Sequence, residues 1–189
     1  DVYSLGAIER SKRCVLDAVA PRSELLFIGV GRGRDAVASA VAGHRVVVMD
    51  TSGAMLERCV ARARRAGVTI EARRDDVRTA ACDERFDAVA LHYVLSVFRD
   101  DEVPHVVERA SAFVRPGGRL SVAEFRQPTG GIFGWLQHLY YAPPALAFRL
   151  LCGNPLHRIR DVGRWFDRSR WTVESRLPVG LVGNRLQVF

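Results

Sequence analysis

Three alternate glycines, Gly29, Gly31 and Gly33, break an apolar run that begins at Leu25, and Asp50 closes the next apolar run, Val46 to Met49. Glycines this dense would strip packing from a buried strand, so they read as a turn where backbone comes close to a ligand. A carboxylate at the tip of the adjacent strand can accept both hydroxyls of a ribose. The pair points to a bound nucleoside.

Spacing narrows the choice. A dinucleotide fold needs G-x-G-x-x-G, because its third glycine lets the helix pack close while the helix N-terminus holds a pyrophosphate. Here the pattern is Gly29-x-Gly31-x-Gly33, followed by Arg34 and Asp35. There is no Gly-Lys-Ser/Thr ending either, so the loop is not a triphosphate cradle. A short glycine turn without a phosphate element suits a ligand with a ribose and an amino-acid tail, and S-adenosylmethionine is such a ligand.

The residues that carry a family likeness are Phe27-Ile-Gly-Val-Gly-Arg-Gly33, Val48-Met-Asp-Thr-Ser-Gly-Ala-Met-Leu56, Arg74-Asp-Asp-Val77, Arg85-Phe-Asp-Ala-Val89 and Val114-Arg-Pro-Gly-Gly-Arg-Leu120. In this order and at these intervals the chain resembles the class I S-adenosylmethionine-dependent methyltransferases, loosely those of quinone biosynthesis or phospholipid N-methylation. The resemblance implies a Rossmann-like α/β fold: a mostly parallel seven-stranded sheet, helices on both faces and an antiparallel last strand. It also implies cofactor contacts. Gly29, Gly31 and Gly33 would line the methionine part, Asp50 the ribose, Thr51 and Met55 the adenine face, and Asp76 with the Val77 backbone the adenine edge. Phe27 departs from the family, most members having an acid there; the methionine ammonium is then left to backbone carbonyls or Glu24.

These residues need elements to position them. Ser4 to Val19 places Ile8, Val15, Leu16 and Val19 on one helical face, which predicts a covering helix. Strands are expected at Glu24–Ile28, Arg45–Met49, Val68–Ala72, Phe86–Leu91 and Arg119–Phe125, the last entered through a Pro116-Gly117-Gly118 turn. Helices are expected at Arg34–Ala42, Ser52–Ala66 and Asp100–Phe113. Trp171–Val179 and Asn184–Phe189 read as two strands joined by a Gly-containing turn, and the resemblance makes the second the antiparallel one. At 189 residues and 48% hydrophobic, the whole chain, 1–189, is expected to form one domain, with a variable substrate-side insertion at about 126–160.

Ligands of open α/β sheets bind at the carboxyl ends of the strands. His92 and Tyr93 follow the fourth strand; Glu124 and Phe125 end the fifth. His92 reads either as a packed histidine or as a cofactor or substrate contact, and Glu124 either as a buried ion pair with Arg119 or Arg126 or as a functional carboxylate. Both are candidates for a general base, which an oxygen or carbon nucleophile would want and a neutral amine would not. Tyr93, Phe125, Trp135, Tyr140 and Tyr141 are candidate substrate contacts. The insertion is rich in such side chains, but Pro143, Pro144 and Arg149 keep its apolar runs far below the ~20 residues of a membrane span. It reads as a lid over an apolar substrate, an interfacial helix on anionic lipid, or plain core.

Composition limits the partners. Of 28 basic residues one is lysine, Lys12, a bias unlike a phosphate-binding surface, so a nucleic-acid partner is disfavoured despite a net charge of +7. Residues 126–170 carry seven arginines and two acids and hold most of the excess. Cys14, Cys59, Cys82 and Cys152 show no metal-ligand spacing, so neither a metal site nor a disulfide framework is expected. The numbered sequence starts at Asp1 with no charged-then-apolar leader; a cytoplasmic location is expected, with peripheral membrane contact through the insertion, although trimming would also remove a leader. The leading expectation is methyl transfer to a small apolar or amphiphilic molecule: a lipid, a quinone or a natural product. A weakly binding, methyltransferase-fold regulatory partner is the alternative, motivated by Phe27, and a nucleic-acid methyltransferase the third; no oligomeric state is implied.

Overall fold

The computed structural model describes residues 19–125, positions 135, 139 and 142, residues 162–173, and the backbone of 175–179 and 184–188. Its strands are β1 (Glu24–Ile28), β2 (Arg45–Asp50), β3 (Glu71–Arg74), β4 (Phe86–His92), β5 (Val114–Phe125), β6 (Ser175–Val179) and β7 (Asn184–Val188). Its helices are α1 (Arg34–Val41), α2 (Gly53–Arg65) and α3 (Val103–Ala112). The architecture is a Rossmann-like α/β fold. Five strands, in the order β3-β2-β1-β4-β5, run parallel. The sheet continues through β7, antiparallel to β5, to β6 at the edge.

Alternation along the strands divides the core. Leu26 and Ile28 of β1 and Val89 and Leu91 of β4 meet Val103, Val106 and Val107 of α3. Leu25 and Phe27 of β1 and Val46 and Val48 of β2 meet Ala36 and Val37 of α1 and Leu56 and Cys59 of α2. Buried on both faces, the inner strands can be nearly continuous in apolar residues. Ser52 caps α2 by accepting the Met55 N–H, and Pro104 falls in the first turn of α3, where a missing N–H costs no helical bond.

Four expectations are corrected. β6 is not Trp171–Val179 but Ser175–Val179, with residues 171–173 outside any strand. β3 is not Val68–Ala72 but Glu71–Arg74, since its ladder with β2 starts at Val47↔Glu71 and ends at Asp50↔Arg74. It has β2 as its only sheet neighbour among the described strands, so charged residues are tolerated there. The Pro116-Gly117-Gly118 stretch is not a turn leading into β5 but lies within it: opposite the two steps from Phe86 to Ala88, the chain runs from Val114 to Arg119. This is an enlarged bulge, with Gly117 at φ +76° and a Cβ on Gly118 only 2.8 Å from the Asp87 carbonyl oxygen. α3 starts at Val103 rather than Asp100. Residues 4–18 of the expected first helix, the turn at 180–183 and nearly all of 126–160 lie outside the described residues.

At the amino ends of the strands, charges alternate in sign. Arg115 pairs with Asp87 and Glu24; Arg45 pairs with Glu24, Glu71 and Glu84; Arg73 pairs with Glu71 and Glu84. The Glu24 backbone N–H, followed by Arg115, holds the Asp87 carboxyl below its ordinary 3.8, and Arg73 and Arg45 hold Glu84 below its ordinary 4.5. Depressed carboxyls stabilise the fold above their unfolded values, and that contribution disappears as pH falls through the folded ones. We therefore expect urea stability to fall on acidification below about pH 4.5, less steeply in Asp87→Asn, and with the difference reduced in high salt.

Candidate active site

The glycine turn leaves β1 in left-handed backbone: φ is +75° at Gly29, +49° at Gly31 and +64° at Gly33. The three glycines serve different ends. A Cβ on Gly29 would lie 2.5 Å from a Val94 methyl, and one on Gly33 2.5 Å from the Cys59 sulfur, so both are forced by close packing. A Cβ on Gly31 would meet nothing within 4 Å, and this residue lines a cleft of about 590 Å³ at the carboxyl ends of β1, β2 and β4. Gly29 also lines the cleft; Gly33 does not.

Asp50 organises the opposite wall. Its Oδ2 accepts the Val30 N–H at 2.9 Å and its Oδ1 accepts the Ser52 N–H at 2.9 Å, so one carboxylate joins the glycine turn to the start of α2. Each oxygen retains a lone pair for a ligand hydroxyl. Thr51, Ser52 and Met55 extend this wall, and Asp75, Asp76, Val77 and Arg78, after β3, form the next. Ile28 and Met49 supply the floor, and Tyr93, Val94, Val97, Phe98 and Glu102 the β4 side. The cleft suits an adenosyl group: a carboxylate able to accept further hydroxyls, an uncrowded glycine backbone and an apolar floor converge on one volume.

The ring of His92 turns away from this chemistry. Its Nδ1 lies 3.1 Å from Asp35 Oδ2 and its Nε2 3.0 Å from Ser121 Oγ, with 2% of the side chain exposed. Asp35 accepts from Nδ1, which in the neutral ring leaves Nε2 to accept the Ser121 hydroxyl proton. His92 thus reaches the cleft as the last residue of β4 while its imidazole ties α1, β4 and β5 together. Phe27 is not on the cleft lining; 3% exposed, it packs edge-on to His92 at 6.2 Å between ring centres. Glu24, proposed from sequence for the ammonium, is at the far end of β1, bonded to Arg115. Glu124 is buried and accepts the Ser96 N–H at 3.1 Å, holding the 3-10 turn Leu95–Val97 in place rather than facing the cleft.

Replacing His92 with alanine should lower unfolding free energy by about 2–3 kcal/mol through loss of two buried hydrogen bonds. Turnover of the folded, cofactor-saturated variant should stay within about fivefold of wild type, whereas loss of a general base costs roughly 10²–10⁴. Urea titration and kcat check the two halves.

Tyr93 lines the cleft in strained left-handed backbone, φ +57°, its N–H held by the Ala123 carbonyl at 2.7 Å. Trp135 is helical, 63% exposed and not on the cleft lining. Tyr140, Tyr141 and the Phe125 side chain lie outside the described residues. Sequence reasoning missed Arg78, Val94, Val97, Phe98 and Glu102. The Tyr93-Val94-Leu95-Ser96-Val97-Phe98 run after β4 was the available signal, because strand-end positions are where ligands bind.

A parallel α/β sheet with a glycine turn after β1 and an acid at the end of β2 fits a nucleoside-binding protein, and comparison with known proteins narrows the class. A family model described as a methyltransferase domain matches residues 25–118. The demethylmenaquinone methyltransferase of Renibacterium salmoninarum is 35% identical over 176 residues, 89% of this chain and 72% of that protein. The enzyme of the same name from Streptomyces griseus is 32% identical over 175 residues, 89% and 74% of the two chains. Two crystal structures with S-adenosylhomocysteine bound share the fold. One is the 1,6-didemethyltoxoflavin-N1-methyltransferase of Burkholderia thailandensis (TM-score 0.72, 17% identity, 96% of this chain and 76% of that one). The other is an N-methyltransferase of Bradyrhizobium japonicum (TM-score 0.73, 18% identity, 99% and 86%). The chain belongs to the class I S-adenosylmethionine-dependent methyltransferases, with S-adenosylmethionine as its cofactor.

Proposed function

We propose that this methyltransferase acts on a small apolar or amphiphilic acceptor of the quinone type, seated against Tyr93. The observation that carries the reading is the similarity to demethylmenaquinone methyltransferases over 89% of the chain. The mostly apolar β4 side of the cleft agrees with it. In the same reading Asp50 takes the ribose, Gly29 and Gly31 the methionine part, Thr51 and Met55 the adenine face, and Asp76 with the Val77 backbone the adenine edge.

Bound cofactor supplies a methyl group on a sulfonium, already an excellent leaving group. The chain's contribution is positioning: reactants held in line are worth roughly 7–11 kcal/mol of barrier. His92 and Glu124 are structural in this account, and Tyr93, fixed by the Ala123 carbonyl, orients the acceptor. Against the regulatory-partner alternative stands the similarity to methyltransferases over 89% of the chain; Phe27, buried and off the cleft lining, does not block the cofactor, and the ammonium is left to backbone carbonyls.

The chain is read as one methyltransferase domain with a variable substrate-side insertion at about 126–160. Trp135 and Leu139, four positions apart in sequence and 63% and 58% exposed, together with the arginine surplus of 126–170, support contact with an anionic membrane surface where such acceptors reside. Among the described residues no helix is long and apolar enough to cross a membrane.

Incubation with methyl-labelled cofactor and either a demethylated prenyl naphthoquinone, a membrane-lipid extract or a soluble extract tests the acceptor. We expect label in the quinone. Label confined to the soluble extract, or in no fraction, would end the quinone reading.

A further inference from the structure

We propose that Arg78 sets the base specificity of the cofactor site by holding the Asp76 carboxylate with one acceptor position open, which selects a 6-amino purine over a 6-oxo purine. The inference rests on the reading of Asp76 as the adenine edge.

Arg78 surrounds the carboxylate two residues before it. Its backbone N–H reaches Asp76 Oδ1 at 2.9 Å, its Nε lies 3.0 and 3.1 Å from Oδ1 and Oδ2, and its Nη2 reaches Oδ2 at 2.6 Å. The other arm, Nη1, donates to Glu102 Oε1 at 2.7 Å, and the guanidinium carbon sits 5.4 Å from the centre of the Phe98 ring. Glu102 is itself fixed, its Oε2 accepting the Arg99 N–H at 3.0 Å. The guanidinium therefore spans from the loop after β3 to the start of α3, and Asp76, Arg78, Phe98 and Glu102 all line the cleft.

Counting lone pairs gives the consequence. An ionised carboxylate offers about four acceptor positions and no donor. Arg78 brings three donor protons to these four positions, the Nε proton being shared between Oδ1 at 3.0 Å and Oδ2 at 3.1 Å, so one acceptor position, on Oδ2, is left without a proton of its own. Arg78 also keeps the Asp76 carboxyl below its usual range, so it remains an acceptor at neutral pH. An exocyclic amine can donate to that remaining position. A ring carbonyl placed there would set oxygen against oxygen, the type of mismatch by which a hydrogen-bonding site rejects an analogue. Without Arg78 the carboxylate can rotate, and its single aligned acceptor is lost.

The test is calorimetric titration of wild type, Arg78→Met and Arg78→Lys with S-adenosyl-L-homocysteine and with S-inosyl-L-homocysteine, together with KM and kcat. Wild type should prefer the adenosyl ligand by on the order of a hundredfold. Methionine keeps the apolar stem and should cost about tenfold in adenosyl affinity while leaving inosyl affinity unchanged, so that the preference shrinks by the same factor. KM for the cofactor should rise about tenfold with kcat within twofold, and lysine, a compact charge without the planar fork, should fall between. Arg78→Met with undiminished preference, or with both ligands weakened equally at an unchanged melting temperature, would overturn the proposal. Failure of wild type to bind the adenosyl ligand would instead sink the cofactor-site reading beneath it, and shows in the first titration.

Discussion

Asp50→Ala should reduce affinity for S-adenosyl-L-homocysteine at least a hundredfold. A ribose hydroxyl donating to a carboxylate forms a charge-assisted bond worth about 1.5–3 kcal/mol, and the two hydroxyls together account for two or more decades. The substitution also removes the acceptor shared by the Val30 and Ser52 N–H groups, so the glycine turn and the start of α2 lose their common tie. A lower melting temperature should accompany the loss of binding. Asp50→Asn retains one carbonyl acceptor and should bind with intermediate affinity. Calorimetric titration, with circular dichroism to establish folding, decides the matter; Asp50→Ala binding within threefold of wild type would remove the ribose from this carboxylate.

The glycines should separate stability from binding. In Gly29→Ala the new methyl enters within 2.5 Å of Val94 in left-handed backbone, so strain and overpacking should destabilise the protein by on the order of 3 kcal/mol. Val94→Ala in the same chain should restore part of that loss, since it removes the methyl that is struck first. Gly31→Ala meets no protein atom within 4 Å, and its stability cost should be about 1–2 kcal/mol, from backbone conformation alone. Its methyl instead crowds the cleft lining, and cofactor affinity should fall more than tenfold. Urea unfolding and ligand titration on the two variants give this crossed pattern, and equal effects on both quantities would contradict the roles assigned here.

The order of these outcomes reflects what was legible in the chain. β1 and β2 stand out because each is a continuous apolar run closed by a residue that a buried strand would not choose, Gly29 and Asp50, and both ends line the cleft. Thr51, Met55, Asp76 and Val77 follow at short range and were also placed on the lining. Elements defined by pairing at a distance were less visible. β3 is set by its ladder to β2 rather than by the apolar Val68 and Ile70 before it, and the bulge in β5 depends on Asp87 and Ala88 opposite. His92 is the sharpest case: its partners are 57 and 29 residues away, so the sequence left open whether the imidazole faced a ligand or the core, and the fold turns it inward. Arg78 was missed for a related reason. Its bond to Asp76 is local, but its significance comes from Phe98 and Glu102, which only the packing of α3 brings to the cleft.

The roles of Asp50, Gly29 and Gly31 depend on where the adenosyl group rests. A crystal structure of the protein with S-adenosyl-L-homocysteine should show the ribose hydroxyls on Asp50, the adenine between Met55 and the Val97–Phe98 side with its edge at Asp76 and Val77, and the amino-acid tail along Gly29 and Gly31. A ligand bound elsewhere, or with its ribose away from the Asp50 carboxylate, would contradict it.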